Sequence, residues 1–190
     1  MRRSASKRGV SKAVGDIIVE ASRLESLAMG IYTRLAATFR EHPELHRFWM
    51  SMARHEAGHV GALALVGALI EQAGDGFRYE VEDSVLGGAT KLIESLYAEA
   101  AAPVGVERAF EMAVELESLE LEDLVLDLIH ILSDPAARSQ AEQMLLHDLS
   151  DLSLMIEKHC HSEELLVRAD GLVESRVVEP RRDGGFVKRR

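Results

Sequence analysis

Apolar residues recur every three to four positions over four long stretches, the period of a helix with one buried face. The first runs from about residue 14 to 40, through Ile18, Ala21, Ala28, Tyr32, Leu35 and Phe39. The second runs from about 43 to 73, through Leu45, Phe48, Met52, Leu63 and Ile70, and Gly74-Asp75-Gly76 stops it. The third runs from about 106 to 132, through Phe110, Ala113, Leu121, Leu124, Leu128 and Ile131, and ends at Asp134-Pro135. The fourth runs from about 136 to 170. No stretch reads as a strand. Residues 74–104 form a long connection, with a short helix expected around Ala89 to Ala100 and Pro103 closing it. Short loops inside each pair of helices imply antiparallel neighbours. The pattern therefore predicts an all-α four-helix bundle, built as two antiparallel hairpins joined by a long crossover.

Charged residues interrupt the apolar stripes at matched places. Glu25 sits between Ala21 and Ala28, Glu56 and His59 between Met52 and Leu63, Glu117 between Ala113 and Leu121, and Asp148 between Met144 and Leu152. The two hairpins are also related to each other. With a shift of 92 residues, Leu24-Glu25-Ser26-Leu27 falls on Leu116-Glu117-Ser118-Leu119, and Pro43 falls on Pro135. In the same register Met52, His55, Glu56 and His59 fall on Met144, His147, Asp148 and Asp151. Alignment of the proline turn and both polar motifs in one register points to an internal repeat. A lone buried carboxylate costs several kcal/mol if it stays ionised, roughly, and several at one depth repel each other. A bound dication removes both problems. Carboxylates suit hard cations, and imidazole suits iron, manganese or zinc. Glu56 and His59 are three apart and share a helix face, so both can reach one ion. Two other readings stay open at this level: a helix phase that leaves these charges on the surface, and a bundle that has kept the fold but lost its metal.

Charge and composition narrow the function. Residues 1–12 carry five basic and no acidic residues, and residues 176–190 carry six basic and two acidic, so the net charge of −10 hides a strongly acidic middle. Such a surface repels nucleic acid. The apolar run from Val60 to Ile70 is too short to span a bilayer. The basic start has no continuous apolar stretch or small-residue cleavage site, so no secretory signal is expected and the cytoplasm is the default. Cys160 is the single cysteine, which excludes an internal disulfide and an intrinsic four-thiolate iron centre. No phosphate-cradling loop or nucleophile elbow is present. Residues 1–12 and 173–190 are expected to be disordered basic tails around a bundle at 13–172. Tyr32 reads as core or as a phenol near the charges, and Trp49 as a core or interface anchor. His147 offers a competing register for the fourth helix. Glu157, His159, Cys160 and His161 look like a small metal cluster, but only Glu157 and His161 share a face.

The arrangement Glu25…Tyr32, Glu56-x-x-His59 and Glu117-x-x-Glu120 resembles rubrerythrin-like members of the ferritin-like superfamily, over roughly residues 14–160 and without a rubredoxin domain. That family carries a Glu on two helices and Glu-x-x-His on the other two. The resemblance implies two iron ions, Glu25 and Glu117 as terminal ligands, Glu56 as a bridge and His59 as a cap. Glu120 would be the additional carboxylate. It implies redox chemistry on dioxygen or hydrogen peroxide, electrons from a separate donor, and a homodimer, for which Leu126, Leu146 and Leu154 supply an extra apolar face. The fourth helix departs from the family. It offers Asp148-x-x-Asp151 where Glu-x-x-His is expected, and Asp reaches about 1.5 Å less far than Glu. A non-catalytic metal-binding or partner-binding bundle is the alternative.

Overall fold

The computed structural model describes residues 9–73, 77–119, 121, 124, 125, 128, 148–178 and 186–188. Helices dominate: α1 (Val14–Thr38), α2 (Pro43–Ala73), α3 (Asp83–Glu99), α4 (Val106–Glu117) and α5 (Glu163–Val178), together with a helical segment at 148–159. Three short strands, β1 (Gly9–Ala13), β2 (Phe77–Glu82) and β3 (Phe186–Lys188), form an antiparallel sheet in the order β1-β2-β3.

The hairpin of α1 and α2 is the spine. Helix α1 ends where Phe39 N–H turns back to Leu35 O at 3.0 Å, and His42 N–H closes the turn on Phe39 O at 2.9 Å. Pro43 then opens α2, a first-turn position where its missing N–H costs nothing. Ile18 lies against Gly67, Glu25 against His59, Tyr32 against Trp49, and Ala36 against His46, so the two helices run antiparallel. Their stripes meet in a core that includes Ile17, Leu24, Ile31, Leu35, Trp49 and Leu63. Phe39, Phe48, Trp49 and Phe110 add an aromatic cluster, with Trp49 and Phe110 centroids 4.8 Å apart.

Helix α3 covers the other side of α1 and runs parallel to it. Thr90 Oγ1 donates to Glu20, Arg23 pairs with Glu94, and Arg34 donates to Tyr97 O while its guanidinium lies 3.7 Å over the Tyr97 ring. Arg108 then ties α4 to α3 through a fork of two 2.8 Å bonds to Glu99. The segment at 148–159 runs antiparallel to α2: His55 meets Asp148, while Lys158 and His159 meet Glu44.

Several expectations are corrected. The sheet overturns the reading without strands, and it places residues 9–12 and 186–188 of the expected tails in ladders with β2. The connecting helix is longer than Ala89 to Ala100, because it starts at Asp83. The third helix does not run unbroken from 106 to 132. It stops after Glu117, where Leu119 N–H turns to Leu116 O at 3.0 Å. Ser118 Oγ back-bonds to Val114 O, but Ser26 makes the same bond to Ser22 O and α1 continues, so the serine alone does not break the helix. The fourth helix stops at 159, and Ser162 Oγ caps a new one by accepting from Leu165 N–H at 3.2 Å. That new helix, α5, runs to Val178, beyond the boundary expected at 172. Among the described residues no helix is long and apolar enough to cross a membrane.

Gly30 makes room for the Tyr97 ring of α3, since a Cβ there would stand 2.7 Å from Tyr97 Cε2. Gly61 faces open space. Gly61→Ala should therefore stabilise by about 0.5–1 kcal/mol through helix propensity. Gly30→Ala should destabilise by about 1–3 kcal/mol through overpacking, and Gly30→Ala with Tyr97→Ala should cost less than the two single changes together. Urea denaturation of the four variants measures all three terms.

Candidate metal centre

Four helical elements each carry one buried carboxylate. Glu25 comes from α1, Glu56 from α2, Glu117 from the end of α4 and Asp148 from the 148–159 segment; they are between 1% and 7% exposed. The two pairs related by the sequence repeat, Glu25 with Glu117 and Glu56 with Asp148, are thus all withdrawn from water. This excludes surface placement for these four residues.

The tightest group is Glu25, Glu56 and His59. One ligand atom from each lies within 4.8 Å of the others. His59 Nδ1 stands 3.3 Å from Glu25 Oε2 and 3.4 Å from Glu56 Oε2. Glu56 and His59 reach the same place because they are one turn apart on α2, and Glu25 meets them from the facing turn of α1. Burial alone would push the Glu25 carboxyl up. Hydrogen bonds from Glu56 and His59, with the charge of His59, outweigh it and hold Glu25 below the ordinary carboxylate range. A hydrogen bond between two carboxyl groups needs a proton between them. Among the described residues no N–H or hydroxyl donates to Glu25 Oε1. A shared proton or a cation would satisfy it.

Glu117 is held differently. The Tyr32 hydroxyl donates to Glu117 Oε1 at 2.7 Å, and the Tyr32 ring stacks on Trp49 with centroids 6.1 Å apart. Tyr32 therefore serves both as core and as hydrogen-bond donor, and Trp49 is a core residue. Burial raises the Glu117 pKa. The Tyr32 bond and the charge of His59 oppose this, while Asp148 and Glu25 reinforce it. Asp148 meets His55, whose Nδ1 is 2.8 Å from Asp148 Oδ2. His55 did not emerge from sequence reasoning as part of the site. The only available signal was its place in the repeated motif beside Glu56.

Other expected residues fall elsewhere. Asp151 is half-buried on the same segment as Asp148 and does not join the Glu25, Glu56 and His59 group. Glu120, His147, Leu126 and Leu146 lie outside the described residues. The run around Cys160 is not drawn into one cluster. His159 turns to Glu44, His161 is exposed, and burial with the charges of Glu107 and Glu111 pushes the Cys160 thiol up to about 11, far from a reactive thiolate.

The donor set, carboxylates with imidazole, fits iron, manganese or zinc. It also makes a stability prediction. A buried carboxyl with a raised pKa contributes most to stability below the ordinary carboxylate range, and that contribution is lost as pH rises through its own elevated value. Glu117→Gln keeps the acceptor for Tyr32 and removes the charge. In chelator-treated protein at neutral pH it should stabilise the fold by about 1–4 kcal/mol and flatten the fall in stability at higher pH. Thermal unfolding across pH measures both effects.

Comparison with family models, with curated proteins and with solved structures finds no match.

Proposed function

We propose that this chain is a rubrerythrin-like ferritin-like bundle that binds metal, with two iron ions as the leading content, and that its redox chemistry acts on dioxygen or hydrogen peroxide. The observation that carries this reading is the convergence of Glu25, Glu56 and His59, buried and within 4.8 Å of one another. The antiparallel run of the 148–159 segment against α2, and the burial of both members of each repeat-related pair, support the four-helix bundle.

Glu25, Glu56 and His59 would hold one ion, with Glu117 and Asp148 toward the second; Glu120 and Asp151 remain auxiliary in this reading. Iron would supply the electrons that reduce the oxidant, and a separate donor would replace them. The chain's own part is electrostatic and protective. Its carboxylates balance cationic charge, and the Tyr32 hydroxyl fixes the orientation of Glu117. Trp49, packed with Phe48 and Phe110, backs the Tyr32 ring that holds Glu117. The exposure of Leu154 supports a homodimer, and a cytoplasmic location completes the proposal.

A second reading, a bundle that binds a cation without turning it over, is favoured by the shorter Asp148 and by Asp151 where an imidazole would stand. Aerobic addition of Fe(II) separates the two. Redox chemistry gives new absorbance in the near ultraviolet, whereas a passive site leaves the spectrum unchanged.

Metal per chain, measured by elemental analysis after tag-free purification and anaerobic Fe(II) loading, should be one or two and should vanish in Glu56→Ala. Circular dichroism must show that this variant keeps its helices. Absence of metal from the wild-type chain would overturn the reading. Binding should also release protons, because a cation competes with protons for buried carboxylates, above all Glu117, whose pKa burial raises. Apparent affinity should therefore rise with pH. Calorimetry in two buffers of different ionisation enthalpy measures the count.

A further inference from the structure

We propose that a second copy of this chain covers the outer face of α2, the two helices lying antiparallel so that Arg54 of each copy meets Glu71 of the other. The inference rests on the homodimer in the reading above, gives that dimer its interface, and does not depend on the metal.

The outer face of α2 lacks the charge that a solvated helix ordinarily carries. From Ala57 to Ile70, about four turns, the chain has no Asp, Glu, Lys or Arg. His59, the one titratable residue in that run, turns inward to Glu25. On the side opposite the buried Leu63 and Val66, the residues Arg54, Ala57, Gly61, Ala64, Ala68 and Glu71 form one exposed stripe. Beside it Leu65 is 54% exposed, and Val19 of α1, next to the Ile18 that touches Gly67, is 71% exposed. A Cβ added at Gly61 would meet nothing in its own chain. A helix seam of Gly and Ala lets another helix approach to the short end of the usual 8–10 Å, roughly.

The order of the stripe identifies the occupant. Its gaps are 3, 4, 3, 4 and 3 residues, the alternation of a helix–helix seam, and they read the same in both directions. A two-fold axis across a helix lays it antiparallel on its own image, with one patch serving both copies. About a centre between Ala62 and Leu63, Gly61 then faces Ala64, Ala57 faces Ala68, and Arg54 faces Glu71, each twice. Small residues meet in the middle, and opposite charges meet at both ends. The net charge of −10 opposes self-association. This stripe escapes that repulsion, because its one acidic residue, Glu71, is matched by Arg54.

The size is sufficient. Arg54 to Glu71 spans about 26 Å and the hairpin about 20 Å, which gives roughly 500 Å² per copy and about 1,000 Å² in all, the lower bound of a specific interface.

The test is sedimentation equilibrium of the full chain. The wild-type chain should be a dimer. Ala64→Glu should raise its dissociation constant by about 100-fold or more, through a charge buried against Gly61 of the partner subunit. Arg54→Glu and Glu71→Arg should each raise it by about 10-fold or more, since each sets like charges opposite one another. The double variant should dimerise again. An equal mixture of the two single variants should form a heterodimer tighter than either variant alone, a rescue that a folding defect would not allow. Circular dichroism should show the same helix content throughout. A dimer indifferent to these changes, or dissolved instead by Leu154→Glu, would overturn the inference and leave the homodimer standing. A monomer at every concentration would overturn both, and the metal-binding reading would be untouched.

Discussion

Burying several like charges in one apolar interior is the constraint around which the rest of this molecule is arranged. Glu25, Glu56, Glu117 and Asp148 are all buried, where water screens them poorly. The effect is plainest at Glu117, where burial, reinforced by the charges of Asp148 and Glu25, pushes the carboxyl above its ordinary range. The protein answers with local partners. His59 serves Glu25 and Glu56, Tyr32 serves Glu117, and His55 faces Asp148. These partners moderate the repulsion without removing it. A fold that keeps such a group has accepted a loss of stability in return for a place that favours positive charge.

The surrounding architecture holds this place rigid. The α1–α2 hairpin sets Glu25 against His59 by packing two long stripes, and the Phe39–His42 turn fixes their register. Helix α3 braces α1 from behind through Thr90, Arg23 and Tyr97, so Glu25 stands on a helix packed on two sides. Glu117 is delivered differently, from the last residue of α4 and just before the chain turns. Its orientation therefore depends on Tyr32 more than on helix geometry. Removing the Tyr32 hydroxyl would loosen one carboxylate and leave the other three in place.

Much of this was legible in the sequence because buried helices write a period into it. The stripe with Leu45, Phe48 and Met52 and the Pro43 start gave α2 its observed bounds. The 92-residue repeat pairs the four carboxylates that are buried among the described residues. Breaks were harder to read. Ser162 followed by Glu163 and Glu164 is a helix start, but the apolar period runs on across it, so the two helices looked like one. The strands were missed because β1 and β3 are short pieces of polar, basic tails, ordered by pairing with β2 far away in the chain. Local composition does not record such a partner. His55 was missed for a similar reason. Its neighbour across the bundle is 93 positions away, and a helix-phase argument sees only its own helix.

The aromatic cluster has an optical consequence. Trp49 is the single tryptophan of the chain, so the fluorescence of the whole protein comes from one fully buried indole. That indole stacks on Tyr32, and Tyr32 is bonded to Glu117. Emission should be shifted to the blue, as befits a ring sealed from solvent. Any event that redistributes charge at Glu117 reaches the chromophore through a single intervening ring. The protein thus carries its own reporter, in which the brightness of one side chain reads the state of its polar interior.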